Sequence, residues 1–139
     1  MRPSELLQIR IENVHLAKKY MIGGIKTKAG IDRIIPIADA ILPLIQERYN
    51  VNNEYLIMNG NNKMAYRAYL PQFKQTIDNL GMEHLPHDGR YYFATKMDLL
   101  GANELSVKLI MGHIVKDITK DGYTHKDLEN LLQTVNLLK

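Results

Sequence analysis

From His87 almost to its end the chain reads as consecutive helices, and this restricts any sheet to the residues before them. A helix over His87 to Leu99 is stopped by Gly101, and Asn103 is placed to cap a second over Glu104 to Met111. Asp117 to Tyr123 forms a short helical piece. Lys126 to Leu138 carries Leu128, Leu131, Leu132, Val135 and Leu138 at a spacing that puts them on one helix face. A chain patterned this way folds as α+β, mostly helical, with a small antiparallel sheet contributed by its first part.

That first part opens with Pro3 at a helical first turn and Glu5 two residues on. A helix should therefore begin at once, with Leu6, Leu7 and Ile9 as its apolar face. Asn13 to Leu16 reads as a connection. Lys18 to Lys26 and Asp32 to Ile37 are predicted strands, joined by the turn Thr27-Lys28-Ala29-Gly30 and closed by Pro36. Ile37 to Tyr49 predicts a helix with Ile41, Leu44 and Ile45 on one face, either bent by Pro43 or begun by it. Tyr55 to Met58 is a short strand, ended by Asn59-Gly60-Asn61-Asn62. Lys63 to Leu80 predicts a longer helix, interrupted at Pro71 and stopped at Gly81. There is no internal repeat, low-complexity stretch or interdomain linker, so residues 1–139 read as a single domain.

Composition narrows the function classes. The 139 residues are 45% hydrophobic and 24% charged, the balance of a soluble globular protein with a real core. A net charge of +3 and a pI near 9.0 favour an anionic partner without naming it. The absence of cysteine excludes a disulfide scaffold, a cysteine nucleophile and a thiolate zinc site. The N-terminal segment MRPSELLQIR has no apolar signal core, and no uninterrupted apolar run approaches a membrane span. A cytoplasmic protein with no membrane association is expected. No carboxylate cluster suited to two magnesium ions is present, which argues against a metal nuclease. No metal or cofactor is expected.

The side chains with chemistry to offer come in a fixed order. His87 and Arg90 stand three residues apart, Arg90 and His113 twenty-three, and His113 and Tyr123 ten. Imidazole, guanidinium, imidazole and phenol together suit a covalent phosphoryl transfer that needs no metal. A guanidinium holds non-bridging phosphate oxygens through a rigid fork. Imidazoles move protons or donate hydrogen bonds to the same phosphate, and a tyrosine attacks phosphorus. Taken singly each residue has a plainer reading. Arg2 could be a surface arginine of a capped helix, and Lys28 a solvated hairpin tip. His87 could be a helix N-terminal histidine, and Tyr123 a half-buried tyrosine between helices.

In order and spacing, the whole set resembles the catalytic domain of the tyrosine recombinases, the phage-integrase family, over about residues 2 to 138. Met1-Arg2-Pro3-Ser4-Glu5-Leu6 looks like the family's first box, with Arg2 as the first catalytic arginine and Glu5 as its supporting acid. Lys26-Thr27-Lys28-Ala29-Gly30 followed by Arg33-Ile34-Ile35-Pro36 is similar to the lysine-bearing hairpin. Lys28 is the match, with Lys26 as its rival on the same strand face. Pro86-His87-Asp88-Gly89-Arg90 with Phe93-Ala94-Thr95 looks like the second arginine box, and Ile110-Met111-Gly112-His113 like the next. Asp121-Gly122-Tyr123-Thr124-His125 carries the nucleophile, with His125 a noncatalytic neighbour. Gly89, Tyr91 and Tyr92 depart from the family pattern, which bears on how that helix packs.

The resemblance implies a tyrosine-recombinase catalytic fold and the cleavage and rejoining of double-stranded DNA by an integrase. Tyr123 would form a 3′-phosphotyrosyl link. Arg2, Arg90 and His113 would stabilise the transition state, His87 would accept the tyrosine proton, and Lys28 would protonate the departing 5′ oxygen. Other protomers in a synaptic complex are implied partners, docked through the 126–139 helix. The stripe on that helix could equally pack on its own domain. Because the first box begins at residue 2, the chain is expected to be a partial, N-terminally truncated catalytic domain, lacking upstream helices and a DNA-clamping domain. Two other functions fit the same residues: a type IB topoisomerase-like strand-passing enzyme, and a noncatalytic DNA-binding remnant.

Overall fold

The computed structural model describes residues 1–25, 30–113 and 125–139, with side chains in the last stretch from Asp127 onward. A three-stranded antiparallel sheet is the centre of the first part. Its strands are β1 (Val14–His15), β2 (Tyr20–Gly23) and β3 (Arg33–Pro36), with β2 in the middle. Met21 stands opposite both Val14 and Ile35, and Gly23 opposite Arg33. The two strands predicted from sequence are thus present in shortened form. The third, β1, lies in what reads as a connection. A left-handed Lys19, at φ 56°, returns the chain from a short 3-10 turn into β2.

The sheet separates two apolar clusters. Ile9, Ile11, Val14, Met21, Ile35, Ile37 and Leu56 form the larger core, whereas Ile110, Leu131 and Val135 form a second with Ile34 and Phe93 at its margin. Ile34 and Ile35 are neighbours in β3 and reach different clusters, as the two-residue period of a strand requires.

α1 (Pro3–Leu6) is much shorter than expected. Beyond it, the Ile9 carbonyl accepts the Leu56 N–H at 2.9 Å, and the Ile11 N–H donates to the Glu54 carbonyl at 3.1 Å. Pairing with this distant segment buries Ile9 and Ile11, a better outcome than extending a marginal short helix. α2 (Leu42–Arg48) begins at Pro43's turn, so the proline starts the helix and does not bend it. Its inward residues are Leu42 and Ile45, followed by Tyr49, while the expected face residues Ile41 and Leu44 are exposed. Met58–Asn59 (β4) and Asn62–Lys63 (β5) make a small hairpin in place of the single predicted strand.

α3 (Tyr66–Asn79) runs through Pro71 without a break and buries no side chain. α4 (Asp88–Leu99) and α5 (Glu104–Met111) follow. The predicted cap is present: the Asn103 side chain accepts the Ser106 N–H at 2.9 Å. α6 (His125–Val135) packs on α5 and β3, and ends earlier than its sequence pattern suggests. The predicted helical piece at 117–123 lies outside the described residues. No helix among them is long and apolar enough to cross a membrane.

Candidate active site

Arg2 is the N-cap residue of α1. Its backbone N–H donates to Glu5 Oε2 at 2.8 Å, and its Nη1 donates to Oε1 at 3.2 Å. A Glu at the third helical position that accepts the cap residue's backbone N–H is one half of the arrangement expected at a helix start; the other half is not made, because a guanidinium can only donate. Glu5 itself is buried, 1% exposed. A lone buried carboxylate would be driven neutral, so this one needs cations.

The second cation is Arg33, a residue absent from the set read from sequence. It is 3% exposed and sits opposite Gly23 at the start of β3. Arg33 Nη2 donates to Glu5 Oε2 at 3.0 Å and Nη1 to Oε1 at 3.4 Å. Nη1 also reaches the Gly30 carbonyl at 3.1 Å, and Nε the Ile110 carbonyl at 3.1 Å. Burial alone would push the Glu5 carboxyl up. The Arg33 hydrogen bonds, the Arg2 backbone N–H and both guanidinium charges outweigh it and hold the group at about 2. A signal for Arg33 exists in the sequence: it stands two residues before Ile35, in phase with the core-facing side of the strand. A charge at such a position must find a buried partner.

Arg90 lies in the first turn of α4, and His113 directly follows the end of α5. Arg90 Nη2 donates to the Met111 carbonyl at 2.7 Å and stands 3.1 Å from His113 Nε2. Its Nη1 is buried and has no hydrogen-bond partner among the described residues. Burial, and then the charge of Arg2, lower the Arg90 pKa, with Arg33 adding to the effect and Glu5 opposing it. Among the described residues three guanidiniums thus share one carboxylate, which leaves this group in positive excess. His113 is lowered from its ordinary value first by burial and then by the charges of Arg90 and Arg2.

Gly112 makes the placement of His113 possible. It ends α5 at φ 70°, a left-handed conformation that favours glycine, and the His113 N–H returns to the Lys108 carbonyl at 2.9 Å. The structure therefore brings Arg2, Glu5, Arg90 and His113 into one electrostatic neighbourhood. His87 is the cap residue of α4, exposed, with its ring edge-on to Tyr91 at 5.5 Å between centroids. It stands three residues before Arg90, whose N–H donates to the His87 carbonyl at 3.0 Å. Lys28, its rival Lys26, and Tyr123 lie outside the described residues. Among the described residues, no group of three or more His, Asp or Glu side chains is arranged to hold a metal ion.

Comparison with known proteins gives a consistent answer. The family model described as the phage integrase family matches residues 1–130. The tyrosine recombinase XerA of Pyrococcus horikoshii is 30% identical, over 100% of this chain and 52% of its own length. The tyrosine recombinase XerD of Staphylococcus saprophyticus is 29% identical, over 98% of this chain and 49% of its own. The chain therefore spans about half the length of the curated relatives it matches. Among solved structures, an integrase from mycobacterium phage Brujita superimposes with a TM-score of 0.74 at 14% identity, covering 100% of this chain and 47% of that one. A XerA recombinase crystal structure gives 0.68 at 18% identity, covering 96% of this chain and 53% of that one. These two likenesses show the fold, mostly helical with a small antiparallel sheet.

Proposed function

The chain belongs to the phage integrase family, and from that premise we propose that it supplies the residues that cleave and rejoin a DNA strand through a 3′-phosphotyrosyl intermediate. Tyr123 Oη attacks the backbone phosphorus, and the bond from phosphorus to the 5′ oxygen breaks. Lys28, or Lys26, gives that oxygen its proton, because an alkoxide is a poor leaving group without one. A 5′-hydroxyl of another strand then attacks the phosphotyrosine and returns Tyr123. The phosphodiester is stored as an ester, so the exchange needs no nucleotide cofactor.

Arg2 and Arg90 hold the non-bridging oxygens, and His113 donates to one of them as charge grows in the transition state. An unperturbed phenol has a pKa of about 10, so Tyr123 must lose its proton during attack. His87, one helical turn before Arg90, is the acceptor in this proposal. The observation that carries the reading is Arg90. Its Nη1 is buried without a hydrogen-bond partner among the described residues, and its charge is disfavoured by burial and by Arg2. A phosphodiester anion supplies both the missing acceptor and the missing negative charge.

The substrate in this proposal is double-stranded DNA, and the reaction a site-specific recombination that gathers further protomers. The chain would act as the catalytic part of such an assembly. No observation favours the topoisomerase-like reading or the noncatalytic remnant. The test is to incubate the protein with a randomised pool of nicked duplexes and look for a denaturant-resistant protein–DNA adduct. Mass spectrometry should locate the link at Tyr123, and Tyr123→Phe should abolish it while leaving duplex binding in place. An adduct that survives Tyr123→Phe refutes the nucleophile. Relaxation of a supercoiled plasmid with no joining of two sites would favour the topoisomerase reading instead.

A further inference from the structure

We infer that Arg33 is the positioning residue of this site: one buried guanidinium fixes both the carboxylate that orients Arg2 and the helix end that presents His113. Its role in rate rests on the DNA-cleaving reading above, whereas the coupling itself is a property of the fold.

A buried ion pair is a poor way to gain stability, since apolar residues of the same volume often do as well or better. The Arg33–Glu5 pair, 1% exposed on each side chain, therefore calls for another reason. That reason is visible in where the guanidinium's bonds go. Two reach Glu5, one reaches Gly30 and one reaches Ile110. Towards α1, the two Glu5 oxygens that Arg33 holds are the same two that hold the Arg2 backbone and side chain. Arg33 thus sets the carboxylate, and the carboxylate sets Arg2.

Towards α5 the accounting is complete. The last four carbonyls of a helix have no partner within it. In α5 these belong to Lys108, Leu109, Ile110 and Met111. The His113 N–H takes the first and the Gly112 N–H the second, at 2.9 and 3.0 Å. Arg33 Nε takes the third at 3.1 Å, and Arg90 Nη2 the fourth at 2.7 Å. Two arginines from different parts of the chain therefore hold adjacent carbonyls immediately before Gly112 and His113. Arg33 sets where this helix end lies, and Arg90 and His113 meet on it.

The slot around the guanidinium is shaped for it. A Cβ on Gly112 would stand 3.1 Å from Arg33 Nη1. A Cβ on Gly24, whose φ is +112°, would stand 2.4 Å from the same nitrogen and 1.7 Å from the Gly30 oxygen. Only a flat group with donors fanned in one plane serves all three directions. A lysine keeps the charge but loses the fork.

The experiment uses two variants of the whole chain. Arg33→Lys keeps a cation for Glu5, while Glu5→Gln/Arg33→Met removes both charges and leaves neither buried alone. Amide hydrogen exchange and adduct formation on nicked duplexes are read for each. In both, Gly112 and His113 amides should exchange about tenfold faster or more, while those of Met21 and Ile35 keep their protection. In Arg33→Lys, duplex affinity should stay within about threefold while the adduct forms on the order of 10²-fold more slowly, the scale of a 1 Å misplacement. Unchanged exchange at Gly112 and His113 overturns the proposal. So does acceleration spread evenly over the sheet, which marks a merely structural arginine. A folded Arg33→Lys that cleaves at the parental rate overturns it as well. If the unsubstituted protein forms no adduct, the DNA-cleaving reading fails, and the exchange data alone decide whether Arg33 holds the two ends. Should Arg33→Lys fail to fold, the double variant decides.

Discussion

The state of His113 follows from its contact with Arg90. A guanidinium only donates, so the nitrogen 3.1 Å from Arg90 Nη2 must accept, and the ring is neutral with its proton on Nδ1. The lowered pKa agrees with this, since burial and the Arg90 and Arg2 charges all disfavour imidazolium. A ring titration followed by NMR should therefore have its midpoint below 6.5, and Arg90→Gln should raise it. No rise in that variant would mean that Arg90 does not act on His113. Binding of a phosphodiester should raise the midpoint too, because an anion offsets the guanidinium charge. For the reaction, Arg90→Lys is expected to slow adduct formation on the order of 10²–10³-fold, comparable to removing one preorganised donor. Arg2→Lys should behave alike, since the lysine cannot reproduce the fork. Near-parental cleavage in Arg90→Lys would reduce Arg90 to a structural residue.

At the level of elements, the C-terminal end of α5 holds Arg33, Arg90 and His113, and α6 packs on α5. Gly112→Ala places a Cβ in a left-handed conformation and 3.1 Å from Arg33, so it should destabilise the chain by roughly 1–2 kcal/mol from backbone alone. Denaturant unfolding measures this, and a neutral result would mean that the turn can relax. α6 presents Leu131 and Val135, 2% and 5% exposed, to Ile110 of the same chain. The apolar stripe thus packs at least partly on its own domain, the second of the two outcomes its pattern allowed. Leu131→Ala should cost about 2–5 kcal/mol, as other large-to-small core changes do. If stability falls only at concentrations where protomers associate, the helix owes its packing to a partner instead.

For the molecule as a whole, the buried charge network ties stability to acid. Glu5 is depressed from 4.5 to about 2 in the folded state, so its contribution is present above pH 4.5 and is lost as pH falls towards 2. At 1.36 kcal/mol per pKa unit, that contribution is about 3 kcal/mol. Unfolding midpoints measured between pH 7 and 2 should fall over this window. Glu5→Gln should lower stability at pH 7 and flatten the acid limb, because Arg33 then stays buried without its carboxylate. An acid limb unchanged in Glu5→Gln would assign the effect to other carboxylates.

What the sequence determined by itself was local. Asn103 as a cap, Gly81 and Gly101 as helix stops, and two strands, the second closed by Pro36, follow from short-range backbone rules. Ordered motifs, not any packing rule, pointed to Arg2, Glu5, Arg90 and His113, and these the fold gathers together. What the tertiary structure decided depends on pairs far apart in the chain. α1 stops after Leu6 because Ile9 pairs with Leu56, and α2 turns Leu42 and Ile45 inward because of the core it meets. Arg33 joins Ile110 across 77 residues. Its strand period marks it only as inward-facing, and nothing nearby in sequence names its partners. A buried charge is set by the groups that surround it, and only the folded chain brings those groups within hydrogen-bond reach.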